Sequence, residues 1–128
     1  NGVQYFNDSK ATTVIAVQIA LESMSAPVIL IAGGKDKGSD YQPLRELVNK
    51  KVKQLILIGQ ATNKIRNELN GSCPIKEANS MEEAVQIARK ISQSDDTVLL
   101  SPACASYDMF TDFEERGRVF KKAVNDLI

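Results

Sequence analysis

Residue types that commonly carry chemistry are scarce in this chain. Its 128 residues include no histidine and only two cysteines, Cys73 and Cys104, which form no C-x-x-C pair. A zinc site needs several cysteine or histidine ligands, and a disulfide scaffold needs more cysteines, so neither organises this chain. The lack of histidine also removes the usual base that activates a serine or cysteine nucleophile.

Charge and hydropathy exclude further classes of protein. Acidic and basic residues balance at 16 each, which gives no electrostatic case for nucleic acid or an anionic membrane. The longest apolar runs, such as Val28 to Ala32 and Leu55 to Ile58, are far too short to span a bilayer. No signal peptide is visible, and the chain starts at Asn1 rather than Met. We therefore expect one domain of a processed or excised protein, monomeric and cytoplasmic.

Segments with the hydrophobic pattern of a strand alternate along the chain with segments that have the pattern of a helix. Strands are predicted at Val3–Phe6, Val28–Ala32, Gln54–Ile58, Pro74–Glu77 and Val98–Leu100, and helices at Ala11–Met24, Tyr41–Asn49, Ala61–Leu69, Met81–Ile91 and Phe113–Leu127. The first helix is expected to bury one face made of Val14, Ile15, Val17, Ala20 and Leu21. This alternation predicts an α/β fold, a Rossmann-like, mostly parallel sheet with helices on both faces. Right-handed crossovers then place every strand-to-helix loop at one edge.

Three such loops carry polar motifs: N-D-S-K-A-T from Asn7, G-G-K-D-K-G from Gly33 and S-P-A-C-A-S from Ser101. In the first, Asn7, Asp8 or Ser9 can cap the next helix, which would put Lys10 in its first turn. A cation there opposes the helix dipole, and an anionic ligand would remove that mismatch. The two lysines after Gly33 need no function if they are simply exposed to solvent in a turn. This structural explanation of the second motif stays open.

Familiar ligand motifs are missing from these loops. G-x-G-x-x-G and G-x-x-x-x-G-K-[ST] do not occur, which argues against a module for NAD or S-adenosylmethionine and against a P-loop. A regulatory domain of flavodoxin-like shape would need paired aspartates at a strand end, and none are found. Alanines around Cys104 indicate a small packed position. The acidic cluster Asp108, Asp112, Glu114 and Glu115 suits a helix start, with Arg116 expected to balance it.

Taken together, the three motifs resemble the C-terminal domain of the bacterial Mur ligases over essentially all 128 residues. The resemblance is greatest to members that add D-glutamate to UDP-N-acetylmuramoyl-L-alanine, and a sister ligase with the same architecture stays open. It implies ATP-dependent amide formation, with magnesium, in peptidoglycan precursor synthesis. It also implies that the N-terminal and central ATP-binding domains lie outside residues 1–128, so the isolated domain is expected to be inactive.

The resemblance assigns roles to residues that match the family's motifs. It implies that Asp8 and Lys10 contact the nucleotide and its phosphates. It implies that D-glutamate is contacted by Thr12, Lys37, Ser106 and the backbone N–H of Phe113. No catalytic residue, metal ligand or tightly bound cofactor is expected on this chain by itself.

Overall fold

Strands and helices alternate along the computed structural model, which describes residues 2–25 and 27–127. The strands are β1 (Gln4–Asn7), β2 (Val28–Gly33), β3 (Val52–Ile58), β4 (Ile75–Glu77) and β5 (Thr97–Leu100). The helices are α1 (Val14–Ser23), α2 (Arg45–Lys51), α3 (Thr62–Leu69), α4 (Met81–Ile91) and α5 (Phe113–Asn125), and a 3-10 turn at Gln42–Leu44 precedes α2. Every predicted element is confirmed, although several ends are shifted by a few residues.

The strands form one sheet in the order β1-β5-β2-β3-β4. Each pairing of these strands within the described residues is parallel, which confirms the predicted fold class. At the centre of the sheet Leu30 of β2 pairs in register with Leu55 of β3 and Leu99 of β5. Because the strands are parallel, the loops that follow β1, β2 and β5 all leave from the same edge.

Apolar side chains alternate between the two faces of the sheet and build a core on each. One core packs Leu30, Leu55 and Leu99 against α1, α2 and α3. The other packs the alternate positions Ile31 and Ile56 against α4 and α5. The helices that follow the neighbours β2 and β5 therefore lie on opposite faces, and such a switch in direction leaves a crevice at the carboxyl edge of an open sheet.

The buried face of α1 is narrower than predicted. Val17 and Leu21 are fully buried one turn apart, but Ile15 is 67 % exposed and Ile19 is 62 % exposed. Ile15 lies two positions from Val17, or about 200° around the helix, so the two side chains point in opposite directions. The prediction that Ile15 is buried was wrong. In the part of the chain that the structure describes, no helix has the length and apolarity to cross a membrane.

Candidate functional site

The first polar loop, Asn7–Thr12, is fastened to β5 and to the loop after it. The N–H of Asp8 donates to the Leu100 carbonyl at 2.8 Å, and the N–H of Ala103 donates to the Ala11 carbonyl at 2.9 Å. The Ser101 hydroxyl also donates to Oδ2 of Asp8 at 3.2 Å. Thr12 is half-buried and follows Ala11 directly. Two of the predicted site residues, Asp8 and Thr12, therefore lie close to the backbone of the loop after β5.

The cap of α1 differs from the prediction. Its N-cap is Thr13, whose Oγ1 accepts from the N–H of Ala16 at 3.2 Å, and not Asn7, Asp8 or Ser9. Lys10 therefore lies ahead of the helix in an exposed turn rather than in its first turn. The predicted conflict between Lys10 and the helix dipole was wrong, and it gives no support for an anionic ligand.

The second polar loop, Gly33–Gly38, lies directly beside the third. The N–H of Gly33 donates to the Pro102 carbonyl at 2.9 Å, and the N–H of Lys35 donates to the Ala105 carbonyl at 2.8 Å. A Cβ on Gly34, which has a φ of +143°, would overlap that same Ala105 carbonyl. The glycine therefore serves the close approach of two backbones. Lys37 and Ser106 belong to loops in direct contact.

This packing gives a test at two glycines of the same loop. Gly34→Ala is expected to lower the free energy of unfolding by about 2 to 4 kcal/mol, because the overlap adds to the strain of a positive φ. Gly38→Ala is the matched control, since Gly38 also has a positive φ, +83°, but a Cβ there meets nothing within 4 Å. Urea denaturation of both variants measures the difference. Equal losses would show that the loops do not need this close approach.

Asp36 organises the turn that presents Lys37. Its Oδ1 accepts from the N–H of Gly38 and of Ser39, each at 3.2 Å, and from the Tyr41 hydroxyl at 2.9 Å. Lys64 forms an ion pair with Oδ2 at 3.2 Å. Burial alone would raise the pKa of Asp36, but the hydrogen bonds from Tyr41 and Lys64 outweigh it and lower that pKa. The carboxylate is thus held ionised while Lys37 itself is exposed.

Arg116 ties the first and third loops to α5. It is 1 % exposed, and it donates from Nη2 to the Ser9 carbonyl at 2.6 Å and from Nη1 to the Cys104 carbonyl at 2.9 Å. Its Nε donates to the Ser9 hydroxyl at 3.0 Å. Burial lowers the pKa of Arg116 to about 10, so it stays charged at neutral pH. Its guanidinium faces inward, where the charge of Asp108 raises the pKa of Arg116 against the effect of burial. The prediction that Arg116 balances the acidic cluster therefore holds in part, through Asp108.

Cys104 is a packed residue with a protonated thiol. It is 2 % exposed, and burial raises the pKa of the thiol to about 11. The thiolate is the nucleophilic form of cysteine, so a thiol this reluctant to ionise is a poor nucleophile at neutral pH. This agrees with the prediction of a small packed position.

Ser106 and Phe113 lie at the two ends of the segment that enters α5. Ser106 is 2 % exposed and Phe113 is 42 % exposed. Phe113 is the first residue of α5, and its carbonyl accepts from the Ser9 hydroxyl at 2.6 Å. Asp112 caps the helix by accepting from the N–H of Glu115 at 2.8 Å. The structural explanation of the acidic cluster is therefore confirmed for Asp112, while Asp108 accepts from the N–H of Gln60 at 2.8 Å.

A groove of about 330 Å³ runs between the first loop and α5. Lys10 and Phe113 both line it, together with Asn7, Arg118 and Lys121. Its walls are joined because the Asn7 side-chain amide donates to the Gly117 carbonyl at 3.0 Å. The groove brings a predicted nucleotide residue and a predicted D-glutamate residue together. Asp8 and Lys10 also line a separate hollow beside Ala16 and Ile19 of α1.

Sequence reasoning missed three residues that hold the loops in place. Asp36 could have been found, because an aspartate just before Gly38 and Ser39 is typical of a side chain that accepts from the next backbone N–H groups. Tyr41 was interpreted only as the start of a helix, and Arg116 only as the cation that balances the acidic cluster. Nothing local in the sequence indicates that either side chain is buried.

The comparisons with known proteins agree on a family. Residues 1–104 match the family described as the Mur ligase glutamate ligase domain. The chain belongs to the Mur ligase family.

Similar proteins carry a consistent name. This Mur ligase domain is 48 % identical over 126 residues to the UDP-N-acetylmuramoylalanine–D-glutamate ligase of Chlorobaculum parvum, covering 98 % of this chain. It is 49 % identical to the ligase of the same name from Chlorobium phaeobacteroides, covering 99 %, and 45 % identical to that of Chlamydia caviae, also covering 99 %. The chain spans 27 %, 27 % and 30 % of the length of these three curated relatives.

A solved structure shares the fold. A domain from Haemophilus ducreyi, described as belonging to a UDP-N-acetylmuramate:L-alanyl-gamma-D-glutamyl-diaminopimelate ligase, superposes with a TM-score of 0.50 at 11 % identity. The match covers 94 % of this Mur ligase domain and 88 % of that chain. At this identity the likeness supports the fold and nothing more.

Proposed function

We propose that this chain is the C-terminal domain of an ATP-dependent ligase that adds D-glutamate to UDP-N-acetylmuramoyl-L-alanine. The observation that carries the proposal is the contact between the loop of Lys37 and the loop of Ser106 at the carboxyl edge of the sheet, through the Lys35 N–H and the Ala105 carbonyl. The names of relatives 45 to 49 % identical support it. In this proposal the other domains lie outside the chain and the ligase works in the cytoplasm.

The proposed acceptor site matches the chemistry of D-glutamate. A substrate with two carboxylates needs cations or hydrogen-bond donors at both ends. Lys37 supplies an exposed cation for one carboxylate. Donors for the other carboxylate are the hydroxyls of Thr12 and Ser106. The N–H of Phe113, at the positive end of the α5 dipole, is a third donor. None of these groups needs to act as an acid or base, so the domain contributes by positioning.

The proposed nucleotide side uses Asp8 and Lys10. Lys10 lies in the groove with the cations Arg118 and Lys121 and the carboxylate of Glu114. The charges of the lining sum to a net positive value, which favours a phosphate ligand. Among residues 2–25 and 27–127, no three side chains of the histidine, cysteine, aspartate and glutamate types lie close enough to hold a metal ion. We therefore assign magnesium, and the phosphate loop that the sequence lacks, to the other domains.

In the proposed reaction the carboxylate of UDP-N-acetylmuramoyl-L-alanine takes the γ-phosphoryl group of ATP and becomes an acyl phosphate, and ADP leaves. The amine of D-glutamate attacks the acyl carbon, the C–N bond forms, the bond to the phosphate oxygen breaks, and phosphate and a proton leave. In this proposal the chain's residues hold the acceptor amino acid, D-glutamate, in place while the domain closes over the nucleotide. Aligning two reactants in this way removes much of the entropic barrier of a bimolecular step.

A module for a dinucleotide or S-adenosylmethionine would be built differently around its glycines. The glycines of such a module would let the ligand, such as the pyrophosphate of a dinucleotide, approach the backbone closely. Here the Cβ positions of Gly33 and Gly34 are closed by the carbonyls of Ile58 and Ala105, so the glycines face protein. This observation disfavours the alternative.

The isolated chain is expected to release no phosphate from ATP. Incubation with ATP, magnesium, UDP-N-acetylmuramoyl-L-alanine and D-glutamate should match a control without protein, because the phosphate loop and metal ligands lie elsewhere. The same chain fused behind the other two domains of a relative should restore amide formation that depends on D-glutamate. Turnover by the isolated chain, or a fusion that uses another amino acid, would overturn the proposal.

A further inference from the structure

Tyr41 carries a hydroxyl into the core between the second and third polar loops. The residue is fully buried. Its hydroxyl lies 2.9 Å from Oδ1 of Asp36 and 3.2 Å from Sγ of Cys104. One atom therefore touches the loop that carries Lys37 and the loop that carries Ser106.

On the side of Lys37, Tyr41 acts through the Asp36 carboxylate. The same Oδ1 that accepts from the hydroxyl also accepts from the N–H groups of Gly38 and Ser39. These bonds close a turn around Lys37. Lys64 adds an ion pair to the other oxygen, and its Nζ lies 5.5 Å from the centre of the Tyr41 ring. The direction in which Lys37 leaves the backbone is thus set by an oxygen that Tyr41 holds.

On the side of Ser106, Tyr41 contacts Cys104 two residues earlier. The Cys104 carbonyl is itself fixed by Arg116 at 2.9 Å. A phenol has a single proton to donate, and a carboxylate is the stronger acceptor. The hydroxyl therefore donates to Asp36 and accepts from the thiol. Burial raises the pKa of Tyr41 and of Cys104, which keeps both protons in this chain of bonds.

We propose that Tyr41 is a positioning residue for the acceptor amino acid, which locks the turn of Lys37 and the loop of Ser106 into one register. The inference rests on the proposed function for its ligand. The locking itself is a property of the free chain. If the role of Tyr41 were only structural, the residue would stabilise the fold, but a conformational change in one loop would not reach the other.

The test compares Tyr41→Phe with Tyr5→Phe. Removing the Tyr41 hydroxyl preserves the ring in the core, so the variant should fold, which thermal unfolding verifies. In amide NMR spectra of the free chain it is expected to shift the signals of Gly38 and Ser39 and also that of Ala105. Tyr5, a half-buried residue of β1 that packs on the core beneath α5, provides the matched control, and Tyr5→Phe should leave these signals in place.

Ligand binding provides the second readout. Losing one hydrogen bond in the support of the site should weaken D-glutamate binding to the Tyr41→Phe chain about two- to tenfold. In the complete ligase the KM for D-glutamate should rise while the KM for ATP stays constant. Cys104→Ala cuts only the link to the third loop, so a lock that couples the two loops should shift the signal of Gly38 as well as that of Ala105.

The outcomes separate this inference from the proposed function. Unchanged signals of Gly38, Ser39 and Ala105 in a folded Tyr41→Phe chain would overturn the locking. Shifts confined to the second loop would also overturn it. If Tyr41→Phe shifts the signals of both loops but the wild-type chain does not bind D-glutamate, the locking is upheld and the proposed ligand is overturned.

Discussion

Replacing Arg116 with alanine is expected to lower the free energy of unfolding by about 2 to 6 kcal/mol. The substitution leaves the Ser9 and Cys104 carbonyls without the guanidinium that binds both, and each buried acceptor left unpaired costs about 1 to 3 kcal/mol. Such a loss is a large fraction of the stability of a small domain. Guanidinium denaturation followed by circular dichroism measures it.

Arg118→Ala is the matched control on the same helix. Arg118 is exposed, so its removal should change the free energy of unfolding by no more than about 0.5 kcal/mol. If the two variants are equally stable, Arg116 does not hold the first and third loops together, and the geometry of the site needs another explanation.

Lys37→Ala in the complete ligase is expected to raise the KM for D-glutamate about five- to 150-fold. A cation paired with a partly desolvated carboxylate contributes about 1 to 3 kcal/mol, which corresponds to that range. The KM for ATP should stay constant because Lys37 is assigned to the acceptor. Initial rates at varied D-glutamate and fixed ATP measure the change.

Lys35→Ala provides the control for charge alone. Lys35 is an exposed lysine in the same loop, and its contact with the third loop uses the backbone N–H, which alanine retains. This variant should keep the wild-type KM for D-glutamate. Equal effects of the two substitutions would mean that the loop attracts anions in general, and Lys37 would have no specific role.

The fold could be predicted because its signals are local. Buried strands such as Leu55 to Ile58 read as continuous apolar runs, and α4 shows its buried face at helical spacing, so both elements follow from period alone. The N-cap of α1 was harder to predict. Capping residues occur within the five positions from Asn7 to Ala11, and the pair of threonines that follows can also cap. Only the tertiary bonds of Asp8 to β5 and of Ala11 to the third loop decide where the helix starts.

The candidate site was less accessible to sequence reasoning. The motifs identify Lys37 and Ser106 through the family resemblance, and parallel strands predict that their loops share an edge, which the structure confirms. The residues that hold those loops are far apart in sequence. Tyr41 is 63 positions from Cys104 and Arg116 is 107 positions from Ser9, and a single sequence contains no local pattern for such pairs.

The most direct measurement is an amide NMR titration of this chain with D-glutamate and, separately, with L-glutamate. Binding is expected to be weak, since the site lacks the other domains and the ligand must be ordered by a few contacts. We expect D-glutamate to shift the signals of Thr12, Lys37, Ser106 and Phe113 at lower concentration than L-glutamate does. Identical responses to the two enantiomers, or shifts confined to other residues, would contradict this expectation.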